Sequence, residues 1–247
     1  MASIDFARVK VVLLDVEGTT TPIDFVYHTL FGYARANLPS FLQSHQNDSD
    51  VRKYLSELKA QNAIDEREGR TPPLWVADAA KEEEIASATH FALWLMDRDS
   101  KSGPLKAVQG LVWQQGYRSG DLKGEVFPDV PRAFDRWRSQ GKDIAVYSSG
   151  SELAQRLLFS TTAFGDLSVQ IRAFFDTRVG AKNSAESYAR IAASTSHPAD
   201  QFLFLSDVAA ELDGARLAGM QTGLVVRSES ASTVSQAHPI LKNFDRL

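Results

Sequence analysis

Five side chains in this sequence could carry out phosphate chemistry together: Asp15, Glu17, Ser148, Lys182 and Asp207. A carboxylate such as Asp15 can attack phosphorus and split one hard displacement into two easier ones through an aspartyl-phosphate. Two carboxylates repel each other and the phosphate unless a cation sits between them. Mg²⁺ prefers hard oxygens and uses one or two carboxylates, with phosphate and water completing its shell, so Asp15 and Asp207 make the natural pair. Ser148 and the backbone N–H groups after it, at a helix start, can bind phosphoryl oxygens. Lys182 supplies a positive point charge for the phosphate and for Asp15. Glu17 can protonate the leaving oxygen and later activate water.

The elements around these residues explain how they would converge. Val11-Val12-Leu13-Leu14 is a continuous apolar run, as expected of a parallel strand covered on both faces, and it stops at Asp15. Ile144-Ala145-Val146-Tyr147 stops at Ser148, and Phe202-Leu203-Phe204-Leu205 stops at Ser206-Asp207. In an open α/β sheet, ligands bind at the carboxyl ends of the strands, so three such endings share one edge. Phe174-Phe175 is a short apolar piece leading to Gly180-Ala181-Lys182, and Thr222–Val226 is the last clear strand, with Ile240-Leu241 an isolated apolar pair in a turn-rich tail from Ser228 to Leu247. Helical spacing between these strands predicts an α/β, doubly wound parallel sheet.

One block breaks the alternation. From Ile23 to Glu125 there is no convincing buried strand. Apolar residues recur at helical spacing in four stretches, around Tyr27–Leu42, Val51–Leu58, Ile85–Met96 and Leu105–Val112. The acidic run Glu82-Glu83-Glu84 reads as a solvated helix start. The expected organisation is a core formed by residues 1–22 and 126–247, with a helical cap over 23–125 inserted after the first strand. Gly116, Gly120 and Gly124 read as the hinge by which the chain returns.

The chain has 247 residues, enough for a core plus a smaller insertion. Its 43% hydrophobic and 23% charged residues are ordinary for a soluble globular protein, and a net charge of −4 leaves no electrostatic footprint for nucleic acid. The absence of cysteine excludes disulfides and thiolate metal sites. The five histidines show no metal-binding spacing. The start Met1–Phe6 lacks the charged and apolar pattern of a signal peptide, and no stretch is apolar enough to span a membrane, so a cytoplasmic setting is expected.

The pattern resembles the haloacid-dehalogenase (HAD) superfamily over nearly the whole chain. Asp15-Val16-Glu17-Gly18-Thr19 matches its first motif, with Glu where a second Asp is usual. Ser148 matches the second motif, Lys182 the third, and Asp207 the fourth, with Glu211 one turn later. Many relatives carry two adjacent acids at the fourth motif; here Ser206 precedes Asp207, which leaves one fewer metal carboxylate. Asp15 to Ile23, Tyr147 to Ser151, Gly124 to Val130 and Glu186-Ser187-Tyr188 are similar to the enolase-phosphatase (acireductone synthase) family. That resemblance implies a HAD-like core with a helical cap and one Mg²⁺. It implies a two-part reaction on 2,3-diketo-5-methylthiopentyl-1-phosphate in methionine salvage: enolisation, then loss of phosphate. Asp15 and Glu17 would be catalytic. Asp15, the Glu17 backbone carbonyl and Asp207 would hold the metal, and Ser148, Ser149 and Lys182 the substrate phosphate. A monomer acting on a small phosphorylated substrate is implied, with no nucleic-acid or membrane partner.

Three other functions fit parts of the pattern. A general HAD phosphatase would keep Asp15 and Asp207 without enolisation. A dehalogenase would use Asp15 against carbon and need no Mg²⁺. A non-catalytic phosphoester-binding protein sits poorly with an intact nucleophile at Asp15.

Overall fold

A computed structural model of the chain describes residues 3–76, 80–227 and 237–247. The chain divides into two compact units, Met1–Val26 with Lys123–Leu247, and Tyr27–Leu122. No helix among the described residues is long and apolar enough to cross a membrane.

The first unit is built on a six-stranded sheet: β1 (Val11–Leu14), β2 (Asp143–Tyr147), β3 (Ala173–Phe175), β4 (Phe202–Ser206), β5 (Gln221–Val225) and β6 (Ile240–Leu241). Their spatial order is β3-β2-β1-β4-β5-β6, with every neighbouring pair parallel. This is the doubly wound arrangement that the alternation predicts. The chain winds outward from β1 to β3, then crosses back to lay β4 on the other side of β1. The order therefore reverses between β1 and β4, the switch point where such sheets bind ligands. Leu14 pairs with Val146 on one side and Leu205 on the other, so β1, β2 and β4 end level.

β1 is buried at all four positions and β4 at all five, because helices cover both faces and leave no solvent side for alternating polar residues. One layer gathers Tyr147, Tyr188, Ile191, Phe202, Phe204 and Leu212. β6 corrects the sequence reading: the pair Ile240-Leu241 is a sixth strand, in register with Leu224 and Val225. Two residues are too few for a period-two pattern to register. Of the tail from Ser228, residues 228–236 lie outside the described residues.

The second unit is helical: α1 (Phe31–Ser44), α2 (Ser49–Arg67), α3 (Lys81–Asp97) and α4 (Gly103–Ser119), reached through a π-helical turn at Phe25–Leu30. Leu38, Leu42, Leu55, Leu58, Phe91, Ala92 and Val108 meet in its core. The acidic run starts α3 as expected. Glu83 accepts from the Ala80 N–H at 3.2 Å, and Glu84 pairs with Arg52 at 2.6 Å, so the run is partly engaged rather than wholly solvated. Of the three glycines expected at the hinge, Gly120 ends α4 in a left-handed conformation, and Gly116 is corrected. Gly116 lies inside α4 with the Tyr33 ring against its Cα, where a β-carbon would stand 2.6 Å from the ring. A glycine placed for close packing gives the same sequence signal as a glycine in a loop.

The remaining helices, α5 (Asp129–Ser139), α6 (Glu152–Ser160), α7 (Ala185–Ala193) and α8 (Ala209–Leu217), belong to the first unit. α5 buries Val130, Ala133, Phe134 and Trp137 along one stripe, the face the spacing indicates.

Candidate active site

The carboxyl ends of β1, β2 and β4 carry the three polar endings. Asp15 is buried, and its N–H extends the β1–β4 ladder by donating to the Leu205 carbonyl at 3.0 Å. The chain then turns back on itself. The N–H groups of Thr20 and Thr21 converge on the Val16 carbonyl, and that of Gly18 donates to the Thr21 carbonyl. The Thr20 hydroxyl donates to the Asp15 carbonyl at 3.1 Å, while the Thr19 hydroxyl accepts from the Asp207 N–H at 3.0 Å. The threonines thus serve as internal hydrogen-bond partners that tie the first strand end to the fourth.

Lys182 lies between two carboxylates, 2.5 Å from Asp15 Oδ1 and 2.8 Å from Glu211 Oε2. Burial alone would lower its pKa, but Asp15 and Glu211 outweigh that and hold it above the ordinary lysine value. Glu211 also accepts from the Ser206 hydroxyl at 3.0 Å. Its own pKa is raised, by burial first and then by Asp15. The sequence weighs Glu211 equally as a hydrogen-bond acceptor behind the fourth motif and as a solvated first-turn acid that suits the helix dipole. Here it is the second partner of the lysine.

Asp207 is placed differently. Gly18 adopts φ +69°, and a β-carbon there would meet the Asp207 carboxylate, standing 2.7 Å from its Cγ. The glycine lets the loop lie directly against the acid. Asp207 Oδ1 is buried with no hydrogen-bond partner, and burial together with the Asp15 charge pushes the pKa up to about 7. Glu17 is half-buried and bridges to Thr21 across the turn. Among the described residues, no group of three or more His, Cys, Asp and Glu side chains forms a ready metal cage.

At the end of β2, Ser148 is buried and Ser149 exposed. The Ser148 hydroxyl accepts from the Gly150 N–H at 3.1 Å. Gln155 donates to the carbonyls of Gly150 and Phe175, both at 2.8 Å, and the Ser151 hydroxyl caps α6 by accepting from the Ala154 N–H at 3.3 Å. The start of α6 is thereby fixed beside Ser148, and its Glu152 N–H already donates to an anion, the Asp176 carboxylate, at 3.4 Å.

Arg227, just past β5, was not singled out by the sequence reading. Its guanidinium donates to the Thr19 carbonyl at 2.6 and 2.9 Å and to both oxygens of Asp129 at 2.8 and 2.9 Å. It lies between the Phe127 and Phe244 rings. Arginine suits this position because its planar fork can serve a carbonyl and a carboxylate at once. A lone arginine after a strand carries no motif, and its partners lie 98 and 208 residues away.

Comparison with known proteins adds a further finding. Residues 9–219 match the family model described as haloacid dehalogenase-like hydrolase. The chain is 44% identical over 239 residues to the protein named Enolase-phosphatase E1 of Synechococcus elongatus, covering 97% of this chain and 98% of that one. It is 43% identical over 234 residues to the protein of the same name from Gluconacetobacter diazotrophicus, covering 95% and 91%. The crystal structure of the UTR4 protein of Saccharomyces cerevisiae superposes with a TM-score of 0.75 at 34% identity, covering 97% of this chain and 100% of that one.

Proposed function

Because the chain belongs to the haloacid dehalogenase-like hydrolases and, among them, to the Enolase-phosphatase E1 family, we propose that it is a bifunctional enolase-phosphatase of methionine salvage. The substrate in this reading is 2,3-diketo-5-methylthiopentyl-1-phosphate. The product is 1,2-dihydroxy-3-keto-5-methylthiopentene. The product's hydroxyls at carbons 1 and 2 define the first step: a proton leaves carbon 1 and one is added to the oxygen on carbon 2, leaving a double bond between them. In the second step an Asp15 oxygen bonds to phosphorus while the bond from phosphorus to the carbon-1 oxygen breaks. Glu17 gives that oxygen its proton. Glu17 then takes a proton from water as the water cleaves the aspartyl-phosphate, releasing inorganic phosphate and restoring Asp15.

The observation that carries this reading is Lys182 held between Asp15 and Glu211, with an unpartnered Asp207 oxygen alongside. An ammonium fixed against the nucleophile is also positioned to neutralise the phosphoryl oxygens approaching it. Ser148 and Ser149 complete the phosphate cradle in this reading.

The donor set fits Mg²⁺. Asp207 presents a buried oxygen with no protein partner and an elevated pKa, a cost that a bound cation would relieve. Asp15, the Glu17 backbone carbonyl and Asp207 would hold one ion, and a site with two carboxylates suits a cation that keeps water and phosphate in its shell. Bound there, Mg²⁺ would supply positive charge between the carboxylates and the substrate phosphate. The same reading takes the enzyme to be cytoplasmic and a monomer, and sizing of the purified chain checks the second.

A paired assay tests the function. The diketo phosphate is supplied with Mg²⁺, and enol absorbance and released phosphate are followed together. An enol signal followed by phosphate, both lost with EDTA, supports the reading. Phosphate from simple phosphoesters with this substrate untouched would replace it with a general phosphatase. Activity that survives chelation would point to Asp15 acting on carbon.

A further inference from the structure

Lys182 has no regular secondary structure beneath it. It stands on the stretch between β3 and α7, where a flexible four-carbon side chain would ordinarily rest on a flexible loop. Yet three successive backbone carbonyls there each receive a buried side-chain hydroxyl. Tyr147 donates to Gly180 at 2.9 Å, Ser187 to Ala181 at 2.7 Å and Tyr188 to Lys182 at 2.5 Å. All three donors are 1% exposed or less. Tyr147 is the last residue of β2, and Ser187 and Tyr188 lie in the first turn of α7, so the loop is gripped from two elements.

The donors are themselves held. The Tyr147 and Tyr188 rings meet edge to face with centroids 5.6 Å apart, and Tyr188 packs on Phe204 of β4 at 5.1 Å. On the other side, Gly214 of α8 brings its Cα so close to the loop that a β-carbon there would stand 2.8 Å from the Asn183 carbonyl. Loop carbonyls at a surface are normally left to water. Three in a row met by buried hydroxyls fix the backbone at the lysine far beyond what connecting a strand to a helix requires.

We infer that Tyr147, Ser187 and Tyr188 are positioning residues that set the Lys182 backbone, so that its ammonium is already in place between Asp15 and Glu211 when phosphate arrives. Fixing the base of a long side chain removes part of the ordering cost that would otherwise fall in the reaction itself, and charge stabilisation in a site depends on such preorganisation. The hydroxyls act through Lys182 and touch neither substrate nor reacting atoms. The inference rests on the phosphate-holding role proposed for Lys182.

The test removes two hydroxyls and nothing else, in the paired variant Ser187→Ala with Tyr188→Phe. The expected result is a kcat lowered about tenfold or more, with the affinity for orthovanadate, an analogue of the pentacoordinate phosphoryl transition state, weakened by a similar factor. KM for the diketo phosphate should change less than threefold. A purely structural pair would lower the melting temperature and leave kcat and vanadate affinity within twofold of the unaltered enzyme, and that result overturns the inference. Should the pair not fold, Tyr188→Phe alone carries the same expectation at about threefold. Lys182→Met is measured beside them to check the premise. If it keeps full activity, the role of Lys182 fails and the clamp with it. If it is inactive while the pair is normal, only the clamp fails.

Discussion

The Asp207 carboxylate occupies the space where a side chain on Gly18 would begin. A β-carbon on Gly18 would stand 2.7 Å from Asp207 Cγ and 3.2 Å from Ile23 Cδ1, on a backbone at φ +69°. Gly18→Ala therefore has two costs at once, a strained left-handed alanine and a displaced acid. We expect the variant to fold, because the sheet beneath is untouched, and to lose about 100-fold in kcat through misplacement of Asp207. Circular dichroism and steady-state rates check both halves. A variant with near-normal kcat would mean that the acid has no need to sit against the loop.

Asp15→Asn removes the nucleophile while keeping its shape at a buried strand end. Turnover should fall by about 10³-fold or more, with the far-ultraviolet spectrum unchanged. The Lys182 ion pair with Asp15 is lost, but Glu211 still holds the ammonium, so a modest change in melting temperature is expected. Near-normal activity in this variant would sink the covalent mechanism.

Glu17→Gln keeps the backbone carbonyl proposed for the metal and removes the proton donor. It should slow turnover by about 10²- to 10⁴-fold, the usual range for lost acid–base catalysis, with Mg²⁺ affinity retained. Titration calorimetry and kcat separate the two. Weakened metal binding with unchanged chemistry would reverse the assigned roles.

The parts of this site that are legible in the sequence share one physical cause. Strands buried on both faces are unbroken apolar runs, so the polar residues that end each one mark the ligand edge of the sheet: Asp15 after Val11–Leu14, Ser148 after Ile144–Tyr147, and Ser206-Asp207 after Phe202–Leu205. The helical insertion is visible for the same reason in reverse, as a long stretch without such a run. Glu211, Arg227 and the three hydroxyls under Lys182 leave no such trace. Arg227, Tyr147 and Glu211 act through partners distant in sequence, Ser187 and Tyr188 through loop carbonyls six residues back, and an acid, an arginine or a serine near a helix start has an ordinary local explanation. β6 is hidden by its two-residue length, and Gly116 by the ambiguity of glycine, which serves a packed helix face and a loop equally.

Asp176, just past β3, makes an acid-stability prediction. Burial would raise its pKa, but hydrogen bonds from the Arg178 side chain and backbone, together with the Arg178 charge, outweigh that and hold it below the ordinary 3.8. A depressed pKa stabilises the fold fully above the unfolded value, and the contribution is lost as pH falls through the folded one. Asp176→Asn should thus melt below the unaltered protein at pH 7, and the gap should close as the pH is taken down past 3.8. Scanning calorimetry from pH 7 to pH 2.5 reads this directly. A gap independent of pH would show that Asp176 contributes through shape rather than charge.

Metal removal tests the centre of the site without relying on turnover. Asp207 holds a buried oxygen that no protein group satisfies, beside Asp15, whose charge helps to raise its pKa to about 7. A cation that binds this folded arrangement and not the unfolded chain stabilises it by about 2.7 kcal/mol at a concentration 100 times its dissociation constant. For a protein of this size that is a rise in melting temperature of about 5 to 10 °C. Purified protein stripped with EDTA and then titrated with Mg²⁺ should show that rise, and Na⁺ at matched ionic strength separates specific binding from general screening. Asp207→Asn should abolish the Mg²⁺ response, because the amide keeps the shape and gives up the charge. If the variant responds to Mg²⁺ as strongly as the unaltered protein, the ion binds elsewhere, and the pairing of Asp15 with Asp207 around one cation is wrong.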